Sequence, residues 1–250
     1  MRTVTHHDRT TAYRYTPGEG RPVVYLHGSG ATGQVWGYQH AGLDRPAAAV
    51  DLSGHGDSDD VETAPGPETL AAYADDALAV AREVGAGAVV GNSLGGAVAL
   101  HVLLERDHPF DAAVLCGTGA KLSVAESLRE LLREEFEGAV ETLHGPGMLF
   151  HDPEPETAER SRRAMRSVGR AVTERDFLTC HAFDVRDRLG EIQLPALAIT
   201  GEHDGLTPVT FHEYLAEQLP AGELAVLEDA AHLSFLERPD AWNAQVDAVL

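Results

Sequence analysis

Gly91-Asn92-Ser93-Leu94-Gly95 sets a serine between two glycines. The apolar run Ala88-Val89-Val90 precedes it, and Gly96-Ala97-Val98-Ala99-Leu100 follows. That order predicts a strand, a sharp turn and a helix, with the serine hydroxyl pushed out above a sheet edge. The small neighbours permit a turn that bulkier residues would block. Taken alone, G-x-S-x-G is a frequent accident; in this context it marks Ser93 as a candidate nucleophile. A serine hydroxyl is a weak nucleophile at neutral pH, so it needs a base to take its proton and a carboxylate to orient that base. Asp204 lies just after the apolar run ending at Thr200, in Gly201-Glu202-His203-Asp204-Gly205. His232 lies after Leu224-Ala225-Val226-Leu227, in Ala230-Ala231-His232-Leu233-Ser234. Strand ends of a parallel sheet share one side, so all three groups are expected at one edge. A developing oxyanion needs two backbone donors. Leu94, directly after the serine, and Ser29, in the small-residue loop His27-Gly28-Ser29-Gly30, are the expected pair.

Other residues compete for these roles. Glu202 rivals Asp204 as the acid. Asp229 and Glu228 stand too close to His232 in sequence to span the site easily. His203 reads as a loop residue, and His27 and His55 read as loop-holding histidines. The remaining histidines lack metal-ligand spacing, so neither a metal nor a cofactor is expected. Trp36 and Tyr38 could line a pocket or pack the oxyanion loop; Trp36 is taken as the substrate contact.

The elements that must carry these residues alternate between strand and helix. Strands are expected at Thr11–Tyr15, Pro22–Leu26, Ala47–Asp51, around Ala88–Val90, and at Ala112–Cys116, Pro195–Thr200 and Leu224–Leu227. Helical spacing runs from Thr69 to Val84, and Pro239 opens a last helix, where its missing N–H is harmless. The pattern predicts an α/β fold with a mostly parallel central sheet covered by helices on both faces. Lys121 to Gly190 is too long for an ordinary connection and has helical periodicity at Leu128, Leu131, Leu132, Phe136, Ala164, Met165, Val168, Phe177, Leu178 and Phe183. It is read as a helical cap (121–190) inserted into a core made of 1–120 and 191–250.

Composition bounds the rest. The chain has 250 residues, 43% of them hydrophobic, which suits one globular α/β domain. No apolar run approaches the ~20 residues needed to cross a bilayer, and residues 1–7 contain no signal-like apolar stretch, so a cytoplasmic protein is expected. Cys116 and Cys180 do not form a disulfide framework. The formal net charge is −21, and Lys121 is the sole lysine. Nucleic acids and anionic membranes are poor partners for such a surface. Surplus carboxylates with almost no lysine resemble proteins of extreme halophiles, in which molar salt shortens the Debye length to ~3 Å and removes the self-repulsion. The plainer reading is an acidic, solvated surface with no catalytic part. The sequence leaves the oligomeric state open, with a homodimer as one possibility.

With its residues placed, the chain resembles an α/β-hydrolase-fold protein over nearly its whole length. His27-Gly28-Ser29-Gly30 is similar to that family's oxyanion loop, and Asp51-Leu52-Ser53-Gly54-His55-Gly56-Asp57-Ser58 to its turn after the following strand. Gly91 to Gly96 resembles its nucleophile elbow, and Gly201–Asp204 with Thr207-Pro208 its acid loop. Ala231-His232-Leu233 with Glu237-Arg238-Pro239 resembles its histidine loop. Departures narrow the subfamilies. Dehalogenases and epoxide hydrolases of the fold use aspartate where this chain has Ser93. Proline iminopeptidases usually place Trp where Leu94 stands, and carbon–carbon bond hydrolases place Trp where Leu233 stands. Hydroxynitrile lyases rely on a lysine that Lys121 does not match. The resemblance therefore implies a serine hydrolase of small or medium carboxylic esters that acts through an acyl-enzyme on Ser93. The alternatives are a lactone or carbon–carbon bond hydrolase, or a binding protein that keeps the fold without turnover.

Overall fold

The apolar runs form the middle of one eight-stranded sheet in a computed structural model that describes residues 1–250. The strands are β1 (Arg2–His6), β2 (Arg9–Thr16), β3 (Val23–Leu26), β4 (Ala47–Val50), β5 (Ala88–Asn92), β6 (Ala112–Cys116), β7 (Ala196–Gly201) and β8 (Gly222–Leu227). Their spatial order is β1-β2-β4-β3-β5-β6-β7-β8. The β1/β2 and β2/β4 pairs are antiparallel and all others parallel. Every residue of β3 through β7 is buried, which is what a strand covered on both faces requires of its sequence. Side chains alternate between two cores. Val24, Leu26, Val89 and Leu115 belong to one; Val23, Tyr25, Val90 and Val114 belong to the other.

Ten helices cover the sheet: α1 (Gly37–Gly42), α2 (Pro67–Val84), α3 (Leu94–Glu105), α4 (Glu126–Glu134), α5 (Phe136–Leu143), α6 (Pro155–Val168), α7 (Arg170–His181), α8 (Val209–Gln218), α9 (Ser234–Glu237) and α10 (Pro239–Asp247). No helix is long and apolar enough to cross a membrane. Helix α3 is buried continuously from Leu94 to Leu100, as its unbroken apolar sequence predicts. The first strand was not anticipated. Val4 is its lone aliphatic residue and no residue of β1 is fully buried, so hydropathy does not mark it. It exists because His7 and Asp8, both at positive φ, make a two-residue hairpin onto β2.

Helices α4 to α7 lie between β6 and β7. The two ends of this insert pair with each other. Leu122 N–H donates to the Phe183 carbonyl at 3.2 Å, Val185 N–H to the Ala120 carbonyl at 2.8 Å, and Lys121 Nζ sits 3.3 Å from Asp184. The insert also contributes Cys180, Phe183 and Leu189 to one core and Leu128, Leu132 and Phe150 to the other.

Candidate active site

Ser93 sits at φ 53°, ψ −115° between β5 and α3. An L-residue held there costs roughly 1–3 kcal/mol and persists only where its surroundings impose it. The imposing contacts are visible. A Cβ on Gly91 would run into the Gly95 carbonyl, and one on Gly95 into the Leu26 carbonyl. Ser93 N–H donates to the Cys116 carbonyl at 2.9 Å, and the Thr118 hydroxyl donates to the Ser93 carbonyl at 2.9 Å. The elbow is thus clamped from β3 and β6, while the serine itself stays half-exposed to a cavity.

His232 and Asp204 meet on the same side. His232 Nδ1 lies 2.9 Å from Asp204 Oδ2, and both are almost fully buried. Leu206 N–H and Thr207 N–H donate to Oδ1 at 2.9 and 2.8 Å, and the Thr207 and Thr200 hydroxyls donate to Oδ2 at 2.8 and 3.2 Å. Burial pushes the Asp204 carboxyl up. The charge and hydrogen bond of His232 and the Thr207 bonds outweigh it, so its pKa lies below the ordinary carboxylate value. An ionised carboxylate can only accept, which puts a proton on His232 Nδ1 and leaves Nε2 free to accept one. The rival Glu202 is committed elsewhere: its Oε1 accepts Asp229 N–H at 2.7 Å.

The loop His27–Gly30 presses on the elbow. A Cβ on Gly28 would stand 2.9 Å from Asn92 Oδ1 and 3.2 Å from Ser93 Cβ. His27 keeps that loop in place. Its Nδ1 faces the Gly28 carbonyl at 2.9 Å and its Nε2 accepts Leu52 N–H at 3.2 Å. Burial, reinforced by neighbouring His55, drives its pKa down to about 3, so the ring is neutral. Ser29 lines the cavity, and Leu94, buried at the first turn of α3, adjoins Ser93.

The cavity holds about 950 Å³. It is lined by Gly28, Ser29, Ser93 and His232 together with Met148, Leu149, Met165, Val168 and Phe177 of the insert. Trp36 requires a correction. Expected at the substrate, it is fully buried, stacked on Phe235 at 4.2 Å between ring centroids and packed near Trp242. A large flat ring gains more from that core than from a polar rim. Its neighbours Gln34, Val35 and Tyr38 line the cavity instead.

One contributor escaped the sequence reading, and a second, quoted there only within the histidine-loop resemblance, has a specific structural task. Gly117, at φ 51°, leaves no room beside the histidine: a Cβ there would lie 2.9 Å from the His232 carbonyl and 3.1 Å from its Nδ1. Its position directly after strand β6 is the signal that could have found it. Glu237 accepts Ala231 N–H at 2.8 Å and, through its other oxygen, His151 and Asp152 N–H at 2.9 Å each. It ties the histidine loop to the insert; the resemblance placed it with His232 but did not announce its bonds to His151 and Asp152.

A mostly parallel sheet with a left-handed serine elbow after β5, a carboxylate after β7 and its histidine after β8 defines the α/β-hydrolase class. The chain belongs to the alpha/beta hydrolase family, whose pattern matches residues 23–245. It is similar to the pimeloyl-[acyl-carrier protein] methyl ester esterase of Neisseria meningitidis serogroup B, at 31% identity over 91% of this chain and 92% of that one. It is also similar to 3-oxoadipate enol-lactonase 2 of Acinetobacter baylyi, at 26% identity over 99% of this chain and 96% of that one. Among solved structures, that of a thermophilic esterase superposes with a TM-score of 0.86 at 32% identity, over 98% of this chain and 95% of that one.

Proposed function

We propose that this chain is a serine hydrolase of small or medium carboxylic esters, with Ser93 as nucleophile, His232 as general base and Asp204 as the group that orients it. The observation that carries the reading is the His232–Asp204 hydrogen bond of 2.9 Å on the cavity wall that also presents the strained Ser93. His232 Nε2 takes the Ser93 proton as Oγ attacks the ester carbonyl carbon. The oxyanion of the tetrahedral intermediate is held by Ser29 N–H and Leu94 N–H. Protonated His232 then delivers its proton to the departing alkoxide, which leaves as the alcohol. Water, deprotonated by His232, adds to the acyl-enzyme and releases the acid with Ser93 restored. Met148, Leu149, Phe177 and Val168 would hold an apolar acyl or alcohol group.

The likeness to the Acinetobacter enol-lactonase supports a second reading in which the ester is cyclic. The chemistry is unchanged, but a lactone yields one product where an open ester yields two. The charge of −21 supports a further expectation, that activity and stability rise with salt as the surface carboxylates are screened. A cytoplasm rich in salt would suit such a protein.

One assay tests these claims: a chain-length series of p-nitrophenyl esters at low and at molar KCl, with Ser93→Ala alongside. The expected result is turnover that Ser93→Ala lowers by roughly 10⁵-fold or more. Full turnover in Ser93→Ala would sink the mechanism. Equal stability and rate at both salt levels would end the halophilic reading and leave the esterase intact.

A further inference from the structure

The insert also places a fully buried carboxylate against the loop that carries Ser29. Asp176, on α7, is 0% exposed. Its Oδ2 accepts Gly30 N–H at 3.1 Å and faces His55 Nε2 at 2.9 Å, and its Oδ1 accepts the Tyr73 hydroxyl at 2.7 Å. The partners come from three places in the core: the loop after β3, the loop after β4, and α2. A buried carboxylate is tolerated only when paired and fully bonded.

The neighbours of His55 fix its charge. Nδ1 faces two carbonyls, Leu52 at 3.2 Å and Ser53 at 3.1 Å, and Nε2 faces a carboxylate. Both nitrogens meet only acceptors, so both carry protons. The other groups around the ring are His27, neutral and 4.6 Å away between centroids, and Tyr73 at 6.0 Å. Arg175 reaches the adjoining Ser53 carbonyl at 3.4 Å. Burial pushes His55 down, but the Asp176 charge and its hydrogen bonds hold the ring above the ordinary histidine value.

Gly30 is the part of the loop that needs a tie from outside. It stands at φ 66°, where glycine alone is unstrained, and glycine is the residue with the widest backbone freedom. The insert covers it closely: a Cβ on Gly30 would stand 3.0 Å from Met165 on α6 and 3.2 Å from Thr173 on α7. We infer that Asp176 is a positioning residue for the reaction, whose carboxylate fixes the Gly30 amide and thereby the direction of the preceding Ser29 N–H towards the oxyanion. This rests on the reading of Ser29 and Ser93 given above. The insert then does more than cover the cavity; it completes the alignment of the donor loop.

The test is the rate at which a fluorophosphonate labels Ser93, with p-nitrophenyl ester kinetics beside it, in the native chain and in Asp176→Asn. The amide is uncharged and accepts through one oxygen only, so Gly30 N–H loses either its acceptor or the negative charge that strengthens the bond. Loosening the donor loop is expected to slow labelling and kcat roughly 10- to 100-fold while KM stays nearly constant. A rate equal to that of the native chain would overturn the inference and leave Ser93 as nucleophile. A folded native chain that takes no label would overturn both. Should Asp176→Asn fail to fold, the native pH profile decides. Labelling should fall at alkaline pH, when His55 loses its proton and its bare Nε2 repels Asp176. His55→Gln should abolish that alkaline fall. A native profile with no alkaline fall would overturn the inference.

Discussion

Residues 88–100 and residues 121–190 face the same cavity and are built on different rules. The first segment is β5, the elbow and the start of α3; apart from Ser93 every residue in it is buried, and it contains no charge. The second carries eleven of the nineteen Lys and Arg and fourteen of the forty Asp and Glu, so most of the negative surplus lies on the core. Its outer faces are laced with exposed ion pairs such as Arg129–Glu126 at 2.7 Å and Arg166–Glu137 at 2.9 Å. It grips the sheet-edge loops through a few backbone and side-chain bonds. Gly205 N–H donates to the Gly147 carbonyl at 3.0 Å in the acid loop, and Leu233 N–H to the Leu149 carbonyl at 2.9 Å in the histidine loop. Asp176 holds the Ser29–Gly30 loop. Continuous apolar burial fixes where Ser93 and its neighbours stand. The insert influences the reacting groups at discrete bonds, and its charged exterior is separable from them.

Substitutions at the sheet edge should therefore have the largest effects, beginning with Asp204→Asn. Asparagine keeps an oxygen for Leu206 and Thr207 N–H but turns an NH₂ towards His232 Nδ1. The histidine must then accept at Nδ1, and its Nε2 carries the proton it should take from Ser93. Activity is expected to fall on the order of 10⁴-fold with the fold retained. The same residue sets a pH dependence. Its folded pKa is depressed, so its stabilisation is present above the ordinary carboxylate value of about 4 and is lost as pH falls through the lower folded value. Thermal melts below about pH 4 should fall less steeply in Asp204→Asn than in the native chain. Equal slopes would mean that Asp204 is not ionised through His232.

Gly117→Ala tests the same edge by crowding instead of by charge. The new Cβ meets Asn92 Nδ2 and the His232 carbonyl at 2.9 Å, at a φ that alanine adopts only under strain. Roughly 1–3 kcal/mol of stability should be lost, read from denaturant melts. A displaced His232 should lower kcat more than it raises KM. A variant that loses stability with unchanged kcat would show that the histidine tolerates movement, and would weaken the claim that burial at this edge fixes the chemistry.

The two regions also differ in how far their sequences could be read. Strands β3 to β7 were legible because burial on both faces demands unbroken apolar runs, and the positions of Ser93, Asp204 and His232 at one sheet edge because each follows such a run within a few residues. Strand β1 was hidden because an edge strand needs a turn more than a hydrophobic pattern. Trp36 was misplaced because ring size and loop position do not say which side of the loop packs. Asp176 gave no sign at all. It sits among charged residues in Glu174-Arg175-Asp176, and only the fold turns it inward while its neighbours stay at or near the surface. Helical periodicity located the insert but not the bonds by which it meets the core.

The smallest effect is expected from Arg166→Ala on the outer face of α6. Arg166 joins Glu137 at 2.9 Å and Glu141 at 3.0 Å, which staples α6 to α5, yet both carboxylates are more than half exposed. Exposed pairs gain little in water because solvent screens their attraction and holding long side chains costs entropy, and molar salt weakens them further. Melting temperature and kcat/KM should both match the native chain, at low salt and at high. A lower kcat/KM with an unchanged melt would break the division drawn here, because it would mean that the angle between α5 and α6 reaches the reacting groups. The path for such coupling is short: α6 carries Met165 against Gly30, and the α5–α6 connection carries Leu149 against the histidine loop. A silent Arg166→Ala beside a slow Asp176→Asn would place the insert's contribution in its buried bonds alone.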